Sequence, residues 1–438
     1  MQRISAISKT AEAARLTLQR LIAALAGCAL ACSTALAQDH EDDEDEAHVH
    51  THVPVEIDAS LGWADIIEAA LATHPMRYEL GARATEADIW QRRAGSWLAG
   101  APSVYASYLS DGPRDNVGQR EYEAGVELPL LKPAQRAANR ELAGTLSQES
   151  DAAEVMLRWQ VVGTLRGLLW DIEAASTAHA LAEAQLEVAE TVERTVERMT
   201  ALGELARADL LLAQSATLGR RAHVIETEAE LLDGERAYRA LTGLDHRPES
   251  VAEHLVRRDT FDDGHPALAF ANADVRRAEA SVDQAQRAAK GNLSLTAGPR
   301  RQRDPFGTIY TDSIGVGISV PIGGGRMGAA ASAVAVRALG DAQTRRAALL
   351  RQMDLDLHEA EHIMSVVTES LELAERNAEL TSAQVQMAQS AFENGEIELR
   401  ELLRIQSAAN DAMSEAARLR IERLRAIAAV NQALGELP

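Results

Sequence analysis

The sequence predicts an all-α wall of very long helices joined to a small membrane β-barrel, with one structural unit used twice in the chain. Three observations carry this. Short segments alternate in polarity as barrel strands do. Two stretches without proline are long enough for helices of roughly 100 Å at 1.5 Å per residue. Landmarks of the first half recur about 192 residues later in the second.

Residues 1–37 read as a signal peptide. Arg3, Lys9, Arg15 and Arg20 make a basic segment, 21–31 are apolar, and Ala35-Leu36-Ala37 precedes Gln38 as a small-residue cleavage site. The apolar run is about half of the roughly 20 residues a spanning helix needs. Leu25-Ala26-Gly27-Cys28 supplies a competing reading, a lipobox with lipid on Cys28. Both cysteines, Cys28 and Cys32, fall inside this segment, so cleavage after Ala37 leaves no disulfide, thiolate metal site or cysteine nucleophile. The formal net charge of −22 argues against nucleic acid as a partner and fits a cation-attracting lumen.

Residues 38–57 form an acidic leader. Its stretch 39–52 holds His40, His48, His50 and His52 among many carboxylates, a composition able to bind divalent metal weakly. The first unit follows over 58–243, a linker or equatorial segment over 244–263, and the second unit over 264–438.

In 120–130, Tyr122, Ala124, Val126 and Leu128 share one face, and Glu121, Glu123 and Glu127 the other. In 313–322, Ile314, Val316, Ile318, Val320 and Ile322 face one way. A sheet that must meet lipid on one side and water on the other accounts for the first pattern. Each strand has an upstream partner, 102–109 and 292–298. The loops 110–119 and 299–312 between them are rich in Gly, Pro, Asp and Arg. Aromatics for an interfacial girdle are few: Tyr105, Tyr108, Tyr122, Phe306 and Tyr310.

The duplication rests on ordered landmarks. His74-Pro75 recurs as His265-Pro266, Val126 to Leu130 as Ile318 to Ile322, Gly203 as Gly395, and Leu241-Thr242-Gly243 as Leu434-Gly435. Residues 134–200 and 328–393 each read as one helix, and 265–290 with 397–434 as two short helices that together match a long one. Continuous helices alternating with stacked pairs make a cylinder wall. Leu402, Ile405, Ala409, Ala412, Ala416 and Leu419 follow the 3-4 spacing of knobs-into-holes packing, with alanines that let helices approach closely.

This pattern resembles the TolC-like outer-membrane efflux protein family, over about residues 58–437. The resemblance rests on the helix ending at His74-Pro75, a helix over 84–100 running into Ala101-Pro102-Ser103, Gly203/Glu204 before Ala208-Asp209-Leu210-Leu211 and Gln214, and Leu241-Thr242-Gly243. In the second half it rests on Phe392, Gly395, Glu401-Leu402-Leu403 and Gln406. It implies four strands per chain and a homotrimer with a twelve-stranded outer-membrane barrel and a twelve-helix periplasmic cylinder. It also implies docking to a periplasmic adaptor and an inner-membrane RND-type pump in a Gram-negative cell. A branch of the family exports heavy-metal ions, and with the histidine leader this makes divalent metals the leading cargo. Drugs or other small organic compounds come next. Residues 323–326, Gly-Gly-Gly-Arg, depart from Leu131-Lys132-Pro133 of the first half. With almost no tail after Leu437, extra equatorial elements must come from 244–262 or the N-terminus.

Such a duct performs no bond chemistry and needs no cofactor. Its mouth and gate are expected at the turns of Gly203 and Gly395, where Asp209, Glu396, Glu398 and Glu401 would form rings of three carboxylates if they face the bore. Solvated helix acids or adaptor contacts remain the alternative. His358-Glu359-Ala360-Glu361-His362 matches the HExxH metalloprotease pattern, but its place within a long wall helix argues against it. A type I secretion duct and a periplasmic coiled-coil scaffold also stay open.

Overall fold

The computed structural model describes residues 54–258, 260–322 and 325–438, without the side chains of 325–328. The signal segment, Cys28 and the leader histidines His40, His48, His50 and His52 lie outside the described residues. The elements run β1 (Glu56–Asp58), α1 (Trp63–Thr73), α2 (Arg77–Gly95), β2 (Ser103–Ser110), β3 (Arg120–Leu130), α3 (Pro133–Ala201) and α4 (Arg207–Thr242). Then come β4 (His246–Pro248), α5 (Pro266–Ala288), β5 (Leu293–Arg303), β6 (Thr311–Ser319), α6 (Gly325–Glu393) and α7 (Leu399–Ala433).

The duplication is visible in the element bounds. α3 and α6 have 69 residues each, and both their first and last residues are 192 positions apart. α4 and α7 also start 192 apart. At 1.5 Å per residue, α3 and α6 extend roughly 100 Å. α3 begins at a Pro at its first position, where the missing N–H is no loss.

α3 packs against α2 and α4 on one flank and against α5 and α7 on the other; α5 and α7 in turn pack against α6. The expected alternation of continuous helices with short pairs therefore holds. Every residue of the alanine-rich seam of α7, Leu402 to Leu419, is buried. α2 spans 77–95 rather than 84–100. It stops where Gly95 weakens the helix and Arg93 turns forward to donate to the carbonyls of Leu98 and Ala99 at 2.9 and 2.6 Å.

The largest core lies at mid-wall. Ile66 and Ile67 of α1, Leu165, Leu169 and Ile172 of α3, Tyr238 of α4 and Ala428 of α7 meet there with Val55 and Val251. β1 pairs in parallel with β4 beside it. The equatorial additions thus come from both sources expected, the N-terminal side and the linker. The linker is pinned by a desolvated ion pair. Arg166 of α3 grips Glu253 through two bonds of 2.8 and 2.6 Å, and Asn431 of α7 donates to Glu253 and to the His254 carbonyl, each at 3.0 Å. Burial pushes the Tyr238 phenol up to about 12 while its hydroxyl donates to the His246 carbonyl.

β2, β3, β5 and β6 form one antiparallel sheet in that order. β5 runs on to Arg303 where a loop from 299 was expected, because Arg300 pairs across the sheet with Glu121 at 2.8 Å and extends the ladder. β6 ends at Ser319, short of the expected 322, before Pro321, which offers no N–H to a ladder.

Candidate functional site

The sheet lies at one end of the helices and the Gly203 and Gly395 turns at the other. Strand register sorts the sheet into two faces of opposite chemistry. One face carries Val104, Val126, Ala297 and Val316 in one row and Leu128, Leu295 and Ile318 in the next. Most of these are exposed; Val104 and Ile314 are each 82% accessible. The other face carries Glu121, Glu123 and Glu127, and these acids are the sheltered ones. Tyr105 donates to Glu123 at 2.9 Å, Ser294 to Glu127, and Arg300 to Glu121.

This reverses the arrangement of a sheet in water, where the apolar face is covered. A sheet with its apolar side outward and its polar side inward fits a barrel wall in lipid. Small residues close the strands tightly: a Cβ on Gly298 would lie 2.0 Å from the Ala124 carbonyl oxygen.

Tyr108, Tyr122 and Tyr310 cluster on the apolar face, with ring centroids 4.9 and 6.5 Å apart. Tyr105 does not join them, as its position in the alternation turns it to the polar face. Phe306 is exposed in the β5–β6 loop.

At the other end, the two turns have one geometry. Gly203 and Gly395 adopt left-handed φ of 81° and 75°, and the following amides, Glu204 and Glu396, bond back to Met199 and Ala391 at 2.9 and 2.8 Å. This closing pattern satisfies the last helix carbonyls and favours glycine. The two tips share one apolar cluster, in which Val196, Ala213, Phe392, Leu399 and Leu402 are buried. The candidate acids divide. Asp209 caps α4 by accepting from the Ala206 amide at 3.2 Å. Glu401 is bound by Arg404 through bonds of 2.9 and 2.6 Å, which hold its carboxyl below the ordinary range. Glu396 and Glu398 are exposed and have no ion pair among the described residues.

A second charged cluster, which the sequence reading missed, sits where α2, α3, α5 and α6 approach one another. Buried Glu149 contacts Arg83 and Arg277, each at 2.8 Å, and Asp274 contacts Arg277 at 2.6 Å and Arg345 at 2.7 Å. Burial raises the Glu149 carboxyl above its ordinary value. Asp274 also loses water, but hydrogen bonds from Arg345 and Arg277 outweigh this and hold it low. No local spacing marks such a cluster, because its members come from four separate elements.

His358, Glu359, Glu361 and His362 lie exposed on α6, and only Ala360 between them is buried. Among the described residues, no group of three His, Cys, Asp or Glu side chains could hold a metal ion.

The family model described as "Outer membrane efflux protein" matches residues 262–436. Among solved structures, a membrane protein from Pseudomonas aeruginosa is similar with a TM-score of 0.67 at 16% identity, over 87% of this chain and 91% of that one. At these identities the likeness to solved structures shows the fold, and the family model covers the second half of the chain. The outer membrane protein VceC from Vibrio cholerae has a TM-score of 0.67 at 17% identity, covering 85% of this chain and 96% of VceC. By sequence, the nickel-cobalt-cadmium resistance protein NccC of Alcaligenes xylosoxydans xylosoxydans is 26% identical over 245 residues. That match covers 54% of this chain and 56% of NccC, so the chain spans about half the length of this curated relative.

Proposed function

We propose that the chain is the outer-membrane duct of a tripartite efflux system, passing cargo from an inner-membrane RND-type pump through a periplasmic adaptor to the exterior. One observation carries the reading: a sheet that exposes its apolar face and shelters its acids, set at one end of helices roughly 100 Å long. Among the described residues, edge strands β2 and β6 have no outer neighbour. An unpaired edge in lipid costs several kcal/mol per polar group, so closure by further copies is required. Three copies of this four-stranded sheet give a twelve-stranded barrel, and the alternating wall closes into a cylinder below it.

The duct does no chemistry on its cargo. It offers a hydrated path and a mouth formed by the Gly203 and Gly395 turns. Selection therefore rests chiefly with the pump, and we assign the cargo to small organic compounds, drugs among them. Channels of this fold divide between heavy-metal and multidrug efflux, so the expectation of divalent metals in particular has no general support. It stands as a second reading favoured by the likeness to NccC, with the leader histidines as its proposed weak metal contacts.

In either case the proposed selectivity ring at the mouth is Glu396 with Glu398, because Asp209 and Glu401 already have partners. Deletion of the gene should raise susceptibility to several unrelated organic compounds, and complementation should restore tolerance. Sensitivity confined to divalent metals would move the cargo to the second reading, and sensitivity to neither would sink the efflux reading. In planar bilayers, E396Q with E398Q should lower cation preference without lowering open conductance.

A further inference from the structure

We infer that the outward face of the sheet carries a binding site for a phosphorylated glycolipid of the outer leaflet, with Arg120, Arg301 and Arg303 holding phosphate and a shallow trough of small residues holding an acyl chain. The inference rests on the outer-membrane reading above.

Rows across the apolar face change composition in a fixed order towards the loops. The row of Val104, Val126, Ala297 and Val316 is purely apolar. The next row is short-chained over β2, β3 and β5, with Ala106 beside Ala124 and with Pro299, and ends at Ile314 on β6. Above it come Tyr108 beside Tyr122 and Arg301 beside Asp312, and then Arg120 beside Arg303. The short row lies below the tyrosines and lines a cavity of about 540 Å³, whose rim includes Tyr122 and Arg301.

An apolar trough under an aromatic rim and then a cationic rim is the profile of an amphiphile crossing from hydrocarbon to headgroup. The cations are pre-positioned. Arg120 donates to the Tyr108 hydroxyl at 2.9 Å, and Arg303 donates to the Gly118 carbonyl at 2.8 Å. The guanidiniums of Arg301 and Arg303 stand 5.0 and 5.3 Å from the Tyr310 ring centre. Asp312, 3.6 Å from Arg301, is the acid that shares these rows, so three arginines face one carboxylate. The excess is confined to these rows, since the flanking loops add Asp111, Asp115 and Asp304 against Arg114.

Guanidinium forks match phosphate oxygens in pairs, which a point charge does not. The patch sits at the end of the sheet away from the helices, beside the 111–119 and 304–310 segments. With the helices in the periplasm, that end meets the outer leaflet, where phosphorylated glycolipid is the abundant anionic amphiphile. The sheet's other arginine, Arg300, belongs to the polar face and is paired with Glu121. It also borders the trough, and it serves as a control because its guanidinium is taken up by Glu121.

The test is native mass spectrometry of the full-length, delipidated protein in detergent, titrated with diphosphorylated lipid A, its dephosphorylated form, phosphatidylglycerol and inorganic phosphate. The site requires at least tenfold tighter binding of the diphosphorylated form than of the dephosphorylated one. Millimolar inorganic phosphate should compete poorly, because it lacks the chain. R120Q with R301Q and R303Q should lose at least tenfold, and R300Q less than twofold. A124W fills the trough and leaves every charge in place, so it gives a second reading if the triple variant fails to assemble; it too should lose at least fivefold. Equal binding of both lipid A forms, equal or tighter binding of phosphatidylglycerol, or R300Q matching the triple variant would each overturn the assignment. Membrane fractionation tests the outer-membrane reading separately, so the two can fail independently.

Discussion

α3 and α6 are copies in length and register, yet they live in different surroundings. Among the described residues, α3 has packed helices on both flanks, and α6 has them on one. Val366, Leu373, Leu380 and Met387 of α6 repeat at heptad spacing and are all exposed, Leu373 by 75%. Of their counterparts 192 residues earlier, Ala174, Leu181 and Thr195 are half-buried and Val188 is exposed. The same stripe is thus largely half-covered in the first half and bare in the second. In the proposed trimer, the α4 of a neighbouring copy would stand beside α6 as α7 stands beside α3.

The largest effect should come from charging the bare stripe. Leu373→Glu with Leu380→Glu replaces exposed side chains, and in an isolated protomer such changes are worth within about 0.5 kcal/mol each. At a packed interface, each buries an unpaired charge in every copy. Light scattering of the detergent-solubilised variant should show loss of the trimer with retained helix content. A variant that still assembles as a trimer would break the comparison between the two helices.

A second contrast lies at mid-wall. Arg166 of α3 is buried on Glu253, whereas its counterpart 192 residues on, His358 of α6, is exposed. Arg166→Met strands the Glu253 carboxylate and should cost about 3–5 kcal/mol. His358→Ala should stay within about 0.5 kcal/mol. Thermal unfolding of both variants decides this, and equal losses would mean that α6 is as enclosed as α3.

Glu149 of α3 is buried, and its counterpart Asp341 of α6 is exposed. Asp341 sits at the surface beside Arg337. Burial raises the Glu149 carboxyl, so the folded state holds this proton more tightly than the unfolded chain does. The resulting stabilisation is full below the unfolded value and lost as pH rises through the folded one. Asp274 works in the opposite direction, since its depressed carboxyl stabilises the fold above its unfolded value and loses that as pH falls through the folded one. Relative to Glu149→Gln, the natural protein should therefore gain stability on going from pH 7 towards the ordinary carboxylate range. Melting curves across that interval would refute the assignment if the Glu149→Gln difference stayed flat.

Much of this architecture is legible in the residues because it is periodic. Alternation found β3 and β6, the heptad spacing of Leu402 to Leu419 found the α7 seam, and the 192-residue offset found the turns at Gly203 and Gly395. What escaped notice is not periodic. Arg166 and Glu253 are 87 positions apart, and Arg166 also reaches Gln432, so neither local pattern nor spacing joins them. β5 outran its expected end because cross-strand charge pairs, not hydrophobicity, hold its last residues. The candidate mouth acids were found by position, but their states were not. A neighbour three residues away decides that Asp209 caps a helix and that Glu401 is paired, while Glu396 and Glu398 stay bare.

The smallest effect concerns the one place where the two halves should agree. Gly203 and Gly395 both take left-handed angles, and a Cβ built on either meets nothing within 4 Å. Alanine there would carry only the backbone strain of that conformation, about 1–2 kcal/mol. Gly203→Ala and Gly395→Ala should therefore lower stability by similar small amounts in thermal unfolding, and the double variant should approach their sum. Gly435→Ala differs, because its Cβ would meet the His265 ring at 2.6 Å and should cost more than either. A clearly larger loss at Gly395 than at Gly203 would place a close neighbour at one tip in the assembled protein. The asymmetry that separates α6 from α3 along the wall would then reach the mouth as well.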